Sequence, residues 1–208
     1  MTTTDIEFVP ATDADTDRIA DLILGAPDQI TTRTAMRLLG ITDFDKTARL
    51  WRALLRPADP WRRTTLARAN GDTVGVLMTV GPLERVAPGT VLLAMRLFGP
   101  LAPLRFMRRI RVQERVHTTR AGGAYGVSEL HVAPEHRNEG IGAALLAEAE
   151  RQARASGHTR LSLQVLTANP AKHLYDRAGF EVIETRTDPE FERLTGVAGN
   201  HRMLKRLD

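Results

Sequence analysis

The sequence contains no cysteine in 208 residues. Disulfides, thiolate metal sites and cysteine nucleophiles are excluded together, and with them every covalent mechanism built on a protein thiol. Aromatic residues are scarce at 5%, which argues against a set of rings for stacking nucleobases. Trp51, Trp61, Leu50 and Leu54 therefore read as core or as the wall of a substrate site. Long apolar runs are missing too. The most apolar stretch, TVLLAMRLFGPLAPL at 90–104, is interrupted by Arg96, Gly99 and two prolines and is shorter than the roughly 20 residues a spanning helix needs. The opening MTTTDIEFVP lacks the basic then apolar pattern of a leader, so the expected location is the cytoplasm. What remains, 42% hydrophobic and 26% charged, is the composition of an ordinary globular chain.

The net charge of +4 is unevenly spread. Residues 1–60 carry 7 basic and 10 acidic groups, residues 61–123 carry 11 and 3, and residues 124–208 carry 11 and 12. All the excess lies in the middle, where Arg105, Arg108, Arg109, Arg111, Arg115 and Arg120 face only Glu114. Such a stripe suits an anionic partner or a solvated face.

Hydrophobic periodicity predicts a strand at DIEFVPAT, then a helix to about Leu24 capped by Asp13 or Thr16, with Ile19, Leu22 and Ile23 on one face. TTRTAMRLLG and DFDKTARLWRALLRP read as two further helices. TTLARAN and TVGVLMTV flank Asn70–Gly71–Asp72, a strong hairpin signal. Over 82–123 the pattern is poor: Phe106, Met107 and Ile110 share one arc, while Val112 and Val116 fall among arginines. One or two short helices split near Gly99 and Pro100 are expected there, as an insertion in a single domain spanning 1–208. Beyond it come a strand at AYGVSELHV, a helix at IGAALLAEAERQARASG with Leu145, Ala149 and Ala153 on one face, and an alternating strand at RLSLQVL. A short helix at NPAKHLYDRAGF and strands at FEVIETR and near HRMLKRL complete the chain. The order β-α-β-α-β implies a mixed or parallel α/β sheet covered by helices.

Chemistry is signalled at HRNEGIGAALL, 136–146, where two glycines stand at the start of a helix. Glycine lets a ligand approach the backbone, and the unpaired N–H groups of a first helical turn favour an anion. A P-loop is excluded because Ala143 and Ala144, not lysine and serine or threonine, follow Gly142; a dinucleotide fingerprint fails at Leu145, where its third glycine or alanine would stand. The six histidines form no H-E-x-x-H, so no metal is expected. GVSEL is not the G-x-S-x-G elbow of serine hydrolases.

Arg137, Asn138, Glu139, Gly140, Ile141 and Gly142 match R/Q-x-x-G-x-G/A. LHVAPEHR ahead of them and NPAKHLYDRAGF after them, an asparagine before a helix with a tyrosine and a Gly-Phe close, complete a pattern that resembles the GCN5-related N-acetyltransferase superfamily. The likeness is strong over about 124–187, fainter over the N-terminal elements and absent over 82–123. It implies an α/β fold with a mixed, mostly antiparallel central sheet flanked by helices, in which the Val132 strand and the LSLQVL strand splay apart around acetyl-CoA as cosubstrate, with no metal. It further implies that backbone groups of Leu130 and Val132 pair with the pantetheine arm. The Arg137–Ala143 loop would hold the pyrophosphate, and Asn169 would line the other side. Glu139 departs from the family, which places glycine or a basic residue there.

By the same resemblance, acetyl passes directly to an amine and Tyr175 stands where the family keeps its general acid. Glu129, three residues before Val132 and on the strand face of His131, is the candidate base; His131 or a water held by either is the alternative. Asp13, Asp15, Asp17 and Asp21 would favour a cationic amine near the helices of 16–56, or serve the helix dipole. The expected acceptor is a small-molecule amine, with a protein N-terminus or lysine as the other choice. Nucleic acid and membrane are not expected partners, and a homodimer is left open. The competing reading is a non-catalytic acyl-CoA-binding or regulatory module that turns the 105–120 arginines to nucleic acid or membrane.

Overall fold

The computed structural model describes residues 6–55, 63–79, 88–118 and 122–207. Its frame is a seven-stranded sheet in the order β1 (Ile6–Pro10), β2 (Thr64–Ala69), β3 (Asp72–Thr79), β4 (Tyr125–Val132), β5 (Arg160–Leu166), β7 (Gly199–Arg206) and β6 (Glu181–Thr187). Every neighbouring pair is antiparallel except β4 and β5. The sheet is therefore mixed and mostly antiparallel. The β2–β3 hairpin closes through Asn70 and Gly71, with φ of 53° and 87°, the left-handed pair that a two-residue turn requires.

Helix α6 (Ile141–Ala155) covers one face. Ile141, Leu145, Leu146, Ala149 and Ala153 meet Leu77, Val127, Leu161 and Leu163, and Tyr175 and Phe180 join the same cluster. Each leucine withdrawn from water here contributes about 1.5–3 kcal/mol. Leu145 is fully buried, so truncating it to alanine costs about 2–5 kcal/mol.

The other face carries the remaining long helices. α1 (Thr16–Leu24) lays Ile19, Ala20, Leu22 and Ile23 on Leu66 and Val76. Its entry differs from the sequence expectation: Asp15 accepts from the Thr12 N–H at 2.9 Å and the Thr12 hydroxyl at 2.7 Å, whereas Thr16 Oγ1 donates to the Asp13 carbonyl. α2 (Ile30–Leu39) and α3 (Phe44–Leu55) follow. Between β3 and β4 come α4 (Pro88–Phe98) and α5 (Ala102–Val116), split at Gly99–Pro100 as expected.

The packing arc of α5 is not the predicted one. Ala102, Phe106, Val112 and Val116 are buried, while Met107 and Ile110 are exposed. Phe106 and Ala102 pack with Ile41 and Leu50, whereas Val112 and Val116 pack with Leu38 and Phe191. The amphipathicity reads poorly because α5 has two apolar arcs, of which one packs. Phe191 belongs to α8 (Pro189–Thr195), a helix the sequence reading missed. Its start was legible: Asp188 Oδ1 accepts from the N–H groups of Glu190 and Phe191, ahead of a proline at the first helical position. The short helix α7 (Lys172–Arg177) connects β5 to β6. No helix of the described residues is long and apolar enough to cross a membrane.

Candidate active site

The sheet is interrupted at β4. Met78 pairs with Glu129 but Thr79 pairs with Val127, so Ser128 is an extra residue, and its hydroxyl donates to the Met78 carbonyl at 3.0 Å. Such a bulge twists a strand and re-aims its side chains. Pairing of β4 with β5 covers Tyr125, Gly126 and Val127 and then ends. Past Val127 the pairing of the two strands ends, as the family resemblance implied. The Ala133 N–H donates to the Val74 carbonyl at 2.8 Å, toward β3. Alternation then turns the backbone polar groups of Leu130 and Val132 toward the gap, where no strand receives them.

At the end of β4 a 3-10 turn, Pro134–His136, leads into Arg137, Asn138, Glu139 and Gly140 and so into α6. Asn138 and Gly140 have φ of 67° and 85°; this left-handed path folds the loop over the helix start. The first intrahelical donor is Ala144, to the Gly140 carbonyl at 3.0 Å. Helix geometry therefore leaves the N–H groups of Ile141, Gly142 and Ala143 free to meet an anion. Arg137 is exposed, with no side-chain partner among the described residues. Glu139, the residue that departs from the family pattern, is held by His136: Nδ1 and Oε2 lie 3.0 Å apart.

The two glycines have different reasons. Gly140 is conformational, with nothing within 4 Å of where a Cβ would stand. Gly142 is steric: a Cβ there would come within 3.0 Å of Leu174 Cδ2 and 3.9 Å of Val132 Cγ2. The loop, the end of β4 and α7 thus converge on one glycine. Asn169 opens α7, its Oδ1 accepting the Ala171 N–H at 3.0 Å. Its carboxamide oxygen is already engaged in the turn, so its amide nitrogen is the group left for a ligand.

Tyr175 of α7 is buried and packs edge-on against Phe180, with ring centroids 6.0 Å apart. Burial, and then the nearby Glu129 carboxylate, push its phenol up from 10.0 to about 12. The hydroxyl has no hydrogen bond within the protein among the described residues. Glu129 Oε2 lies 2.7 Å from His131 Nε2; the histidine is buried and the glutamate part exposed. The two base candidates are one hydrogen-bonded pair, and its charge reaches the tyrosine.

Other predicted residues lie elsewhere. Asp15 is paired with Arg68 at 3.2 Å, and Asp17 and Asp21 both face Arg52. These carboxylates brace α1 rather than await a cation. Leu50 is core; Trp51 is half-buried; Trp61 and Arg120 lie outside the described residues, as does the side chain of Leu54. A cleft of about 430 Å³ between α1 and α3 is lined by Asp21, Gly25, Phe44, Asp45, Arg49 and Arg52 among others, and by no residue of β4, the 137–143 loop or α7. Among the described residues no three His, Asp or Glu side chains are grouped to hold a metal.

The sequence model of the Acetyltransferase (GNAT) family matches residues 39–180. The chain belongs to the GNAT acetyltransferase family. No curated protein matches this acetyltransferase. Its fold is that of solved structures of low identity. An N-acetyltransferase, PaiA from Thermoplasma acidophilum in complex with coenzyme A, is 15% identical with a TM-score of 0.57, covering 97% of this chain and 99% of that one. Ard1 from Thermoplasma volcanium is 10% identical at 0.56, covering 98% of each chain. A GNAT acetyltransferase from Streptococcus pneumoniae is 19% identical at 0.56, covering 98% of this chain and 100% of its own. Within the candidate site, Leu174 and His136 are the residues to which sequence reasoning gave no role. Leu174 stands directly before the noted tyrosine, and His136 stands three residues from the unexplained Glu139.

Proposed function

We propose that the protein is an acetyl-CoA-dependent N-acetyltransferase that passes acetyl directly to a primary amine, with a small molecule as acceptor. The observation that carries this reading is the convergence at Gly142 of the anion-ready loop, the open edge of β4 and the Tyr175 helix. The residues fit the cosubstrate. A pyrophosphate would take the N–H groups of Ile141, Gly142 and Ala143 and the guanidinium of Arg137, with Asn138, Glu139 and Gly140 shaping the loop. An amide-bearing arm would take the backbone of Leu130 and Val132 in place of a strand, with the Asn169 amide opposite.

Acetyl-CoA supplies an activated thioester whose sulfur leaves as the C–N bond forms. Glu129, held by His131, takes the proton that the attacking amine must lose. Tyr175 would supply the proton that the departing sulfur takes up. With Glu129 ionised, the phenol at about 12 is a weaker acid than a thiol of ordinary pKa near 8.5, so Tyr175 begins as a hydrogen-bond donor. Once Glu129 has gained the amine proton its charge is gone, and one of the two causes that hold the phenol up goes with it. Deprotonating the nucleophile thereby strengthens the acid that serves the leaving group.

The small-molecule acceptor is supported by how α5 is fastened. Arg115 meets Asp188 and Glu190, Arg186 donates to the His117 carbonyl, and Thr118 donates twice to Gln164 of β5. These ties fix the C-terminal end of α5 against β5, β6 and α8, which supports reading that end as part of the acceptor side and α4–α5 as an insertion within one domain. Thiol release from acetyl-CoA over a panel of small amines, peptide N-termini and lysine peptides tests the proposal. Turnover is expected with a small amine. Acetyl-CoA binding without thiol release for any amine would make the protein a non-catalytic binding module.

A further inference from the structure

Seven of the nine large hydrophobic side chains that stand exposed among the described residues belong to α4, α5 and their junction: Val91, Leu92, Met95, Leu101, Leu104, Met107 and Ile110. On α5 the sequence positions 104, 107 and 110 lie on one helical face, and their exposures are 64%, 57% and 44%. This is the second apolar arc of the helix, opposite the one that packs. Exposed arginines adjoin it. Arg105, Arg108 and Arg111 on α5 and Arg96 on α4 have no acidic partner among the described residues, whereas Arg115 is engaged by Asp188 and Glu190. Glu114 is the one acidic residue of the two helices.

We propose that the α4–α5 hairpin docks the protein on an anionic lipid surface, with Leu104, Met107 and Ile110 entering the headgroup boundary and Arg105, Arg108 and Arg111 meeting lipid phosphates. A helix of this pattern lies in the interface plane rather than across the bilayer, its apolar face reaching about 5–10 Å in. The charge selects the occupant. A second copy on the same patch would set arginine against arginine with a single glutamate per protomer to relieve it. A nucleic acid would neutralise the arginines but would leave the aliphatic side chains against phosphate and sugar, with no exposed Phe, Tyr or Trp among the described residues to stack. An anionic bilayer satisfies both components. The packed arc keeps α5 rigid on α2 and α8, so docking needs no refolding of the hairpin.

The test is co-sedimentation of the full chain with phosphatidylglycerol-rich and with pure phosphatidylcholine vesicles. Binding to the first and not the second is expected, weakening as salt is raised. Each arginine near such a surface contributes about fivefold, so R105Q/R108Q/R111Q is expected to lose about a hundredfold in partitioning. L104Q/M107Q/I110Q, confined to exposed positions, is expected to lose binding with an unchanged melting temperature and unchanged thiol release on soluble substrates. Equal binding to both vesicle types, or full binding by the apolar triple variant, would overturn the proposal. So would a wild-type dimer in sedimentation that this variant dissolves, or tighter binding to duplex DNA than to vesicles.

Discussion

Replacing Tyr175 by phenylalanine separates the chemistry of this residue from its packing. The ring is buried against Phe180 and the hydroxyl has no hydrogen bond in the protein among the described residues. Removing the oxygen takes no bond from the fold and leaves the ring contacts in place, so stability is expected to change by less than about 1 kcal/mol. For a chain of this length that is a shift of no more than about 2–4 °C in Tm. Loss of a positioned acid costs about 10²–10⁴ in kcat, or roughly 3–5 kcal/mol of barrier. The pH profile gives an independent reading. The phenol is raised from 10.0 to about 12, by burial first and by Glu129 second. A raised value means that the neutral form is favoured in the folded state. The acid and the stability linked to it are therefore intact below pH 10 and are lost as pH climbs through about 12. Thiol-release kinetics on wild type and Tyr175→Phe, with thermal melts of both, are the assay. A variant kcat within about threefold of wild type, or a wild-type rate that halves near pH 10 through a single ionisation, would refute the reasoning.

Glu129→Gln removes the lesser cause of the raised phenol, so the titration of Tyr175, followed by ultraviolet absorbance, is expected to move down from about 12; no movement would show that the carboxylate does not reach Tyr175. The same variant is expected to abolish the acidic limb of the pH–rate profile, and an unmoved limb would exclude Glu129 as the base. Gly140→Ala is expected to cost about 1–2 kcal/mol in denaturant melts because of its left-handed backbone. Gly142→Val, by contrast, is expected to raise the KM for acetyl-CoA about tenfold through Leu174, with the larger effect on binding. Glu148 is buried, and its carboxyl is held low by the hydrogen bond from Arg151, whose two nitrogens lie 2.7 Å from its oxygens. Its contribution is present above the ordinary value of 4.5 and is lost as pH falls below it. Glu148→Gln is expected to cost about 1.5–3 kcal/mol at neutral pH and to flatten the acid side of the stability curve.

The most periodic segments were the most legible in the sequence. Leu145, Ala149 and Ala153, and Leu161, Leu163 and Val165, are buried where their spacing placed them, and Asn70–Gly71 turns where the dipeptide demanded. Local chemistry sufficed there. The failures required knowledge of a distant partner. Val116 reads as misplaced among arginines until Phe191 and Leu38 are known to lie against it, and Met107 reads as core until nothing covers it. Glu139 is unexplained in one dimension and paired to His136 in three. The hexapeptide around Gly140 located the candidate site, but the separate reasons for its two glycines depended on Leu174, 32 positions away along the chain. The bulge at Ser128 left no mark in composition, since it is a matter of register between β3 and β4.

The separation of β4 from β5 bears on how the molecule holds together as a mechanical object. The half-sheet β1–β4 and the half-sheet formed by β5, β7 and β6 are joined through three residue pairs, Tyr125–Leu161, Gly126–Ser162 and Val127–Leu163, with α6 strapped across the seam. A seam this narrow is expected to let the two half-sheets exchange amide protons at different rates. Anything that fills the wedge stitches the half-sheets together. At a hundredfold excess over its dissociation constant such a ligand adds about 2.7 kcal/mol to global stability, so acetyl-CoA, held in the wedge as proposed, would also serve as a clasp of the sheet.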